Sequence, residues 1–564
     1  VLVINIVLVP RVQILSTVLV NYLRKRHLWT GDNVVKSPCK DVIIPDLCVN
    51  EYMWTTLDKW SNKKALVCGI TNRQYTYQQL YRQSKVLGAK LRKSFRILDG
   101  DTVALMLPNI PEFPVTVLAV LTAGGVVSTL NPVYTSHELQ RLLPISNPKA
   151  IFVMNETAPI VIEALASLKK NIPVISITVN NDLTPGTVRY TELVDDENID
   201  LTVLKDVRRT ADDVAFLLYS SGTTGLPKGM ELTHRNLLAN CEQQNTEQKL
   251  FSDTTEKNQD STLAILSMFH CYGLSIVTLH KLSIGLKLVT LPRFQPETLV
   301  DVLAKQQFNL LYLAPPLVLF LGTYGQVTSK HLERLKCVIS GAAPLPETDI
   351  QKLVAKVGQH DFHFGQAYGL SETGPLATMS PVGFNDHKSV GFAVPSVQLR
   401  VVDADIKNLG PNETGELLIK GPNVMKGYKN NPAANKEVFV DDGWLRTGDV
   451  ASINESGAVY ILDRLKELIK VRGFQVPPAE LEAVVKEHAA VFDAAVVGVK
   501  DPISGERPKT FIQLNEGFKP ESEDIIKYVN ERVAPYKRIK EVVFVDAIPK
   551  NASGKILRRL LVDK

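Results

Sequence analysis

Val214-Ala215-Phe216-Leu217-Leu218 runs straight into Tyr219-Ser220-Ser221-Gly222-Thr223-Thr224-Gly225-Leu226-Pro227-Lys228-Gly229. The first five residues have the short apolar text of a buried strand, and Thr233-His234-Arg235-Asn236 has the polar text that starts a helix. The passage between them is a loop leaving a strand. Gly222, Gly225 and Gly229 let the backbone approach a ligand and turn its N–H groups inward. Ser220, Ser221, Thr223 and Thr224 add hydroxyl donors, and Lys228 adds a full charge, so the loop has the parts of a grip on a polyphosphate. It is not a Walker A loop, because Pro227 stands where the second glycine belongs and Gly229 follows the lysine. A Gly/Ser/Thr run alone is more often a plain flexible loop, so its companions decide.

A chain of 564 residues is too long for one compact core, and 45% hydrophobic with 22% charged residues is the composition of an ordinary globular enzyme of two or more domains. A net charge of +5, without a long Lys/Arg run or a basic-aromatic array, gives no ground for nucleic acid as a partner. Six cysteines without a CxxC pair suit reduced intracellular thiols, with no disulfide framework and no structural metal expected. Val1–Val9 and Val12–Val20 are aliphatic runs separated by Pro10-Arg11 and closed by Arg24-Lys25-Arg26-His27. Three readings are open for this stretch: a targeting segment, a membrane anchor through residues 1–26, or an artefact of gene prediction. Residues 1–38 are therefore set apart from the fold.

From Cys39 onward the text alternates. Tyr77–Leu91, Phe113–Leu121 and Glu138–Leu143 have helical periodicity, while Val103–Met106, Ala150–Val153, Val174–Ile177 and Leu263–Leu266 are short apolar runs. Strands alternating with helices predict parallel sheets covered on both faces, an α/β fold. Two more runs, Leu335–Ile339 and Asp361–Phe364, pass into Ser340-Gly341-Ala342-Ala343-Pro344-Leu345 and Gly365-Gln366-Ala367-Tyr368-Gly369-Leu370-Ser371-Glu372-Thr373-Gly374-Pro375. Such strand-to-loop switches are where open parallel sheets place ligands. Tyr368 can stack on a flat ring, and Glu372 offers the hard oxygen ligand that Mg²⁺ prefers. Further on come Ser267-Met268-Phe269-His270-Cys271-Tyr272, Asp442-Gly443-Trp444-Leu445-Arg446-Thr447-Gly448-Asp449, Asp463-Arg464-Leu465-Lys466 and Ile548-Pro549-Lys550-Asn551-Ala552-Ser553-Gly554-Lys555-Ile556. Taken singly, each has a bland reading: an interior histidine, a turn aspartate, a charged hairpin, a solvated lysine.

Together these motifs resemble the adenylate-forming superfamily of acyl-CoA synthetases, 4-coumarate:CoA ligases and firefly luciferases, most closely the 4-coumarate:CoA ligase-like acyl-CoA synthetases. The resemblance runs from about Cys39 to the end, with Ser371 standing where the family usually has Thr. It implies a large adenylation domain of layered sheets and helices over 39–462, a hinge at 463–466, and a small mobile α+β domain over 467–564. It also implies that Ser220, Ser221, Gly222, Thr223, Thr224, Gly225, Lys228, Gln366, Ala367, Tyr368, Gly369 and Ser371 hold ATP or AMP. Asp449 accepts from the ribose hydroxyls, Arg464, Lys466, Lys470 and Gln475 meet the nucleotide, and Glu372 holds Mg²⁺. His270, Tyr272, Gly341, Ala343, Gly369, Pro375 and Leu376 line the acid pocket. Arg293, Arg472 and Gly473 lie along the CoA path. Lys555, with His270 and Lys228, carries the chemistry, through the charge a lysine keeps at neutral pH.

The implied reaction uses ATP and CoA as co-substrates. A carboxylate attacks the α-phosphorus, pyrophosphate leaves, and the CoA thiol displaces AMP after the small domain rotates. The pocket positions are small or apolar apart from Tyr272, which allows an aryl or a fatty acid without ranking them. A luciferase-like monooxygenase and a non-catalytic acyl-binding relative are the alternatives. Phe269-His270-Cys271-Tyr272 lacks the His-His-Gly-Phe text of the firefly enzymes. The family favours the peroxisome, with a mitochondrial or membrane-anchored location also open, although residue 564 is Lys and no Ser-Lys-Leu tripeptide is present here.

Overall fold

The computed structural model describes residues 28–564 apart from 179–181, 197, 221–226, 247–250, 359–361, 466, 472–473, 502–503, 534, 552–553 and 563–564, and apart from the side chains of 220, 474 and 475. The hydrophobic first 27 residues and the phosphate-loop residues Ser221–Gly225 lie outside it. No helix among the described residues is long and apolar enough to cross a membrane.

Two sheets dominate the large domain. In the eight-stranded sheet, Val214–Ser220, Val126–Thr129, Thr102–Met106, Ala150–Met154, Val174–Ile177 and Val188–Arg189 lie side by side, with Lys228–Thr233 and Gly427–Tyr428 added at one edge. A nine-stranded sheet holds Lys64–Cys68, Lys287–Thr290, Ser261–Ala264, Leu310–Leu313, Cys337–Ser340 and His363–Tyr368 as parallel neighbours. Thr102–Met106 and Leu310–Leu313 are buried at every position, as parallel strands covered on both faces must be. Helix Glu112–Thr122 is also buried on every side, which explains why its sequence is apolar all round. Capping boxes start the helices Tyr77–Ser94, from Thr76 and Gln79, and His234–Gln244, from Thr233 and Asn236.

A six-stranded antiparallel sheet completes the large domain. Its strand Trp444–Ile453 pairs with Thr414–Lys420 on one side and with Val459–Arg464 on another. The small domain has a five-stranded sheet of Ile469–Val471, Phe474–Val476, Val491–Asp501, Gly505–Leu514 and Glu541–Phe544, with helices Pro478–Lys486 and Ser522–Asn530. Its core is separate, built on Ile469, Leu481, Val496, Ile512 and Ile525.

Three expectations need correction. Residues 28–36 are part of the fold: Val35 pairs with Leu399, Trp29 bridges Val35, and the Trp29 indole donates to the Asn454 carbonyl at 3.0 Å. A strand, Lys228–Thr233, stands between the phosphate loop and the helix, antiparallel to Val214–Ser220. The strand expected to stop at Phe364 continues to Tyr368. Residues 28–36 are placed by pairing with a segment distant in sequence, and the other two strands by pairing with close neighbours that the local text does not reveal. Within the expected hinge at 463–466, Arg464 pairs opposite Asp449 and the Leu465 N–H donates to the Gly448 carbonyl at 2.9 Å.

The core also holds a charge that pattern reading passed over. Lys281 is fully buried, its ammonium 2.6 Å from His280 Nδ1, 3.1 Å from Gln244 Oε1 and 4.7 Å from the centre of the Tyr312 ring. Burial pulls it down to about 7 from the usual lysine range. Between these two values the unfolded chain binds the proton that the folded chain releases, so stability rises with pH across that window. Thermal unfolding of the wild type and of Lys281→Met from pH 7 to 10 should show the wild type gaining on the variant as pH rises. Parallel curves would show that the lysine titrates normally.

Candidate active site

Lys228 opens its strand beside the phosphate loop. Its Nζ lies 5.0 Å from the centre of the Tyr428 ring, and Tyr428 sits one strand over, opposite Met230. The Tyr428 hydroxyl donates to Glu372 Oε1 at 2.8 Å. One aromatic side chain thus joins the lysine to the carboxylate. Glu372 lies in the short turn Ser371–Thr373, and its carbonyl accepts from the Met425 N–H at 2.9 Å. Buried amides hold the residues after it. Asn240 takes the Leu376 N–H at 2.8 Å, and Asn423 Nδ2 donates to the Thr373 and Leu376 carbonyls at 2.8 and 2.7 Å.

The His270 loop is clamped in the same manner. Asn109 Nδ2 donates to the Ala264 and Leu266 carbonyls, both at 2.9 Å, its Oδ1 accepts the Met268 N–H at 2.8 Å, and Thr129 Oγ1 donates to the Phe269 carbonyl at 2.6 Å. His270 Nδ1 accepts the Tyr272 N–H at 3.3 Å, so a neutral ring carries its proton on Nε2. Burial holds this histidine below the ordinary imidazole range, opposed in part by the Glu372 carboxylate. His270 is therefore a neutral donor.

After Tyr272 the chain winds as a π-helical stretch, Tyr272–Leu279, a form frequent at functional sites. The Tyr272 hydroxyl donates to the Ile339 carbonyl at 3.3 Å, which places the ring beside the strand end that leads to Gly341 and Ala343. Gly369 admits no side chain, since a Cβ there would lie 1.7 Å from the Pro375 carbonyl oxygen. That contact brings Pro375 and Leu376, both buried, against the end of the Tyr368 strand. Ser371 Oγ lies 3.2 Å from Cys271 Sγ and joins the two loops.

The third group sits on the antiparallel sheet. Asp449 is 3% exposed, accepts the Tyr368 hydroxyl at 2.6 Å and pairs with Arg464 Nε at 2.7 Å. Burial pushes its carboxyl above the usual range, opposed by Arg464 and by the tyrosine hydrogen bond. Arg464 also feels Glu467 and Glu372, which links this pair to the first group. Lys555 approaches from the small domain, its Nζ 3.7 Å from Glu467 Oε1. Burial and then Arg464 lower it below the usual lysine range, against the pull of Glu467 and Asp449. Lys228, Glu372, Asp449, Arg464 and Lys555 face one region.

Not every expected residue is there. Gln366 is buried and its amide donates to the His387 carbonyl, so it braces the strand on which Ala367 and Tyr368 stand. Arg293 is exposed after the strand Lys287–Thr290. Lys470 is exposed on Ile469–Val471, its backbone N–H donating to Glu506 at 2.7 Å. Gln475 lies on Phe474–Val476. Lys466, Arg472 and Gly473 lie outside the described residues, as do Ser221, Gly222, Thr223, Thr224 and Gly225. Two contributors escaped the sequence reading: Tyr428, which had no motif around it, and Glu467, which shares its carboxylate between Lys555 and Arg558, the latter at 2.9 Å. The text Arg464-Leu465-Lys466-Glu467 contains the second, but its value comes only from what folds back onto it.

Residues 53–429 match the family model described as AMP-binding enzyme, and residues 480–555 match the AMP-binding enzyme C-terminal domain. The chain is 36% identical to 4-coumarate–CoA ligase 3 of Oryza sativa subsp. japonica, over 93% of this chain and 94% of that protein. It is 34% identical to 4-coumarate–CoA ligase 1 of Arabidopsis thaliana, over 94% and 95%. ATP-bound MatB from Rhodopseudomonas palustris shares the fold with a TM-score of 0.79 and 28% identity, over 92% of this chain and 99% of that one. The anthranilate CoA ligase AuaEII in complex with anthranoyl-AMP, at 22% identity and a TM-score of 0.81 over 92% and 97%, shows the likeness of fold.

Tyr428→Phe keeps the ring under Lys228 and removes the hydroxyl from Glu372. One lost hydrogen bond to a charged group, about 1.5 kcal/mol, corresponds to roughly a tenfold change in an equilibrium. Titration with ATP should show binding weakened by up to about tenfold in a variant that stays folded, and Tyr428→Leu should bind more weakly still. Unaltered affinity in both variants would remove Tyr428 from the site.

Proposed function

The chain belongs to the AMP-binding enzyme family of adenylate-forming acyl- and aryl-CoA ligases, and within it we propose a 4-coumarate:CoA ligase-like enzyme that takes an aryl or fatty carboxylic acid into the pocket beside His270 and Tyr272. The observation that carries this reading is the convergence of Lys228, Glu372, Asp449, Arg464 and Lys555, drawn from both domains, around one region. Such a set suits a polyanion with a ribose. An acyl-binding protein without chemistry would have no use for it.

A carboxylate is a poor acyl donor, because its leaving group would be oxide. One carboxylate oxygen of the acid attacks the α-phosphorus of ATP, the bond to the pyrophosphate oxygen breaks, and a mixed anhydride with AMP remains. His270 Nε2–H is the neutral donor that orients the attacking carboxylate. Lys228 and the phosphate loop hold the departing phosphates. Lys555 supplies positive charge where negative charge gathers, which is transition-state stabilisation by a preorganised group. Asp449, an acceptor fixed by Tyr368 and Arg464, suits the ribose hydroxyls. Glu372 fits Mg²⁺ as a single hard carboxylate, since that ion takes most of its ligands from phosphates and water and would neutralise their charge there. In the second half-reaction the CoA sulfur attacks the carbonyl carbon and AMP leaves. Rotation after Leu465 withdraws Lys555 and brings Arg472 and Gly473 to the mouth of the site.

ATP–pyrophosphate exchange across a panel of aryl and fatty acids tests the reading. Lys555→Ala should slow exchange by about a hundredfold or more, the scale of removing one charge-stabilising donor. CoA-dependent turnover of a supplied acyl-adenylate should stay near the wild-type rate. Exchange at the wild-type rate in a folded variant would take the role away from Lys555.

A further inference from the structure

Away from the substrates, alternating charges cross from one domain to the other. Asp349 lies on the large-domain helix Glu347–Val357, its side chain only 6% exposed. It meets Lys352 of the same helix at 3.2 Å and, at 3.7 Å, Lys486, the last residue of the small-domain helix Pro478–Lys486. Lys486 is 3.3 Å from Asp493, whose other oxygen is 2.6 Å from Lys550. Lys550 opens the loop that carries Lys555: it bridges Ile556, and the Asn551 side chain accepts the Lys555 N–H at 2.9 Å. The tip of that loop rests on the large domain, where a Cβ on Gly554 would come within 2.7 Å of Pro316 Cδ.

The order of these charges matters. Lys486, Asp493 and Lys550 belong to the small domain and travel together, while Asp349 stays behind when that domain turns. Lys352 is half exposed, so solvent screens its hold on Asp349, but Lys486 is 14% exposed and its attraction is screened far less. Asp349 therefore has its second cation only in the arrangement that sets Lys555 beside Glu467 and Arg464. We infer that Asp349 and Lys486 form a latch between the domains that positions Lys555 for the adenylate-forming half-reaction and opens for the CoA half-reaction. Neither touches substrate, so both are positioning residues. The inference rests on the two half-reactions of the proposed function.

Asp349→Asn and Lys486→Gln should each slow ATP–pyrophosphate exchange about three- to tenfold, leaving CoA-dependent turnover of a supplied acyl-adenylate at or above the wild-type rate. The double variant should be no slower than the worse single one, as expected when two residues share one interaction. Loss in both half-reactions together, no loss in exchange, or multiplying losses would each overturn the latch. The contact is also read without activity, by bridging Asp349→Cys and Lys486→Cys with a short bismaleimide in the absence of substrates. Cross-linking alongside a wild type that exchanges with no acid would keep the contact and sink the proposed function. Absence of cross-linking would sink the latch itself.

Discussion

The pair of Asp449 with Arg464 is the contact on which the remainder of the site depends. A carboxylate 3% exposed to water is costly unless a cation meets it, and here the register of two antiparallel strands sets the guanidinium directly opposite. Removing the arginine, whose own side chain is 38% exposed, would leave the carboxylate buried without its cation, at a cost of up to about 3–5 kcal/mol. The arginine is also the last paired residue but one before the chain enters the small domain, since Leu465 still donates to Gly448. The pair thus fixes the chain where it leaves the large domain and, on the proposed function, holds an acceptor for the ribose. Strand register there and geometry at the proposed site are one constraint.

Around that pair the loops are held mostly by neutral groups. Asn109, Asn240 and Asn423 are each buried and each spend their amides on backbone atoms of the loops that carry His270 or follow Glu372. A side-chain amide both donates and accepts, so it can replace the ladder bonds that a loop lacks without bringing a charge into the interior. Ionic groups are left facing the place where nucleotide charge arrives. The separation is physical: neutral clamps give rigidity, and charges give recognition.

Much of this was legible in the residues because strand-end loops carry their chemistry in short, contiguous text. The helix over 77–91 and the strands at 103–106, 150–153 and 174–177 lie where periodicity placed them, and the Glu372 turn follows its strand as expected, though that strand runs on to Tyr368. What was not legible depends on partners far away in sequence. Residues 28–36 read as part of an odd hydrophobic leader, yet their pairing is decided by Leu399 and Asn454. Tyr428 is an unremarked aromatic until Met230 brings it between Lys228 and Glu372. Lys281 sits within an apolar helical face, where a charge is the least expected residue, and only Gln244, His280 and two aromatic rings make it tolerable. No local pattern encodes such pairings.

The electrostatics of the closed arrangement explain why nucleotide and domain position should be coupled. Burial, and after it the like charge of Arg464, hold the Lys555 ammonium below the usual lysine range, while Glu467 and Asp449 compensate only in part. Lys228 adds a further cation, over the Tyr428 ring. The carboxylates among these cations are each shared: Glu372 with Tyr428, Asp449 with Tyr368 and Arg464, Glu467 with Lys555 and Arg558. On the proposed function, a triphosphate adds negative charge beside Lys555 and Arg464 and relieves the repulsion between them. Its affinity is therefore greater for this arrangement than for one with Lys555 withdrawn, and a ligand shifts an equilibrium only by such a difference. On the same reading, departure of pyrophosphate removes part of that charge, and with it part of the reason for the small domain to stay.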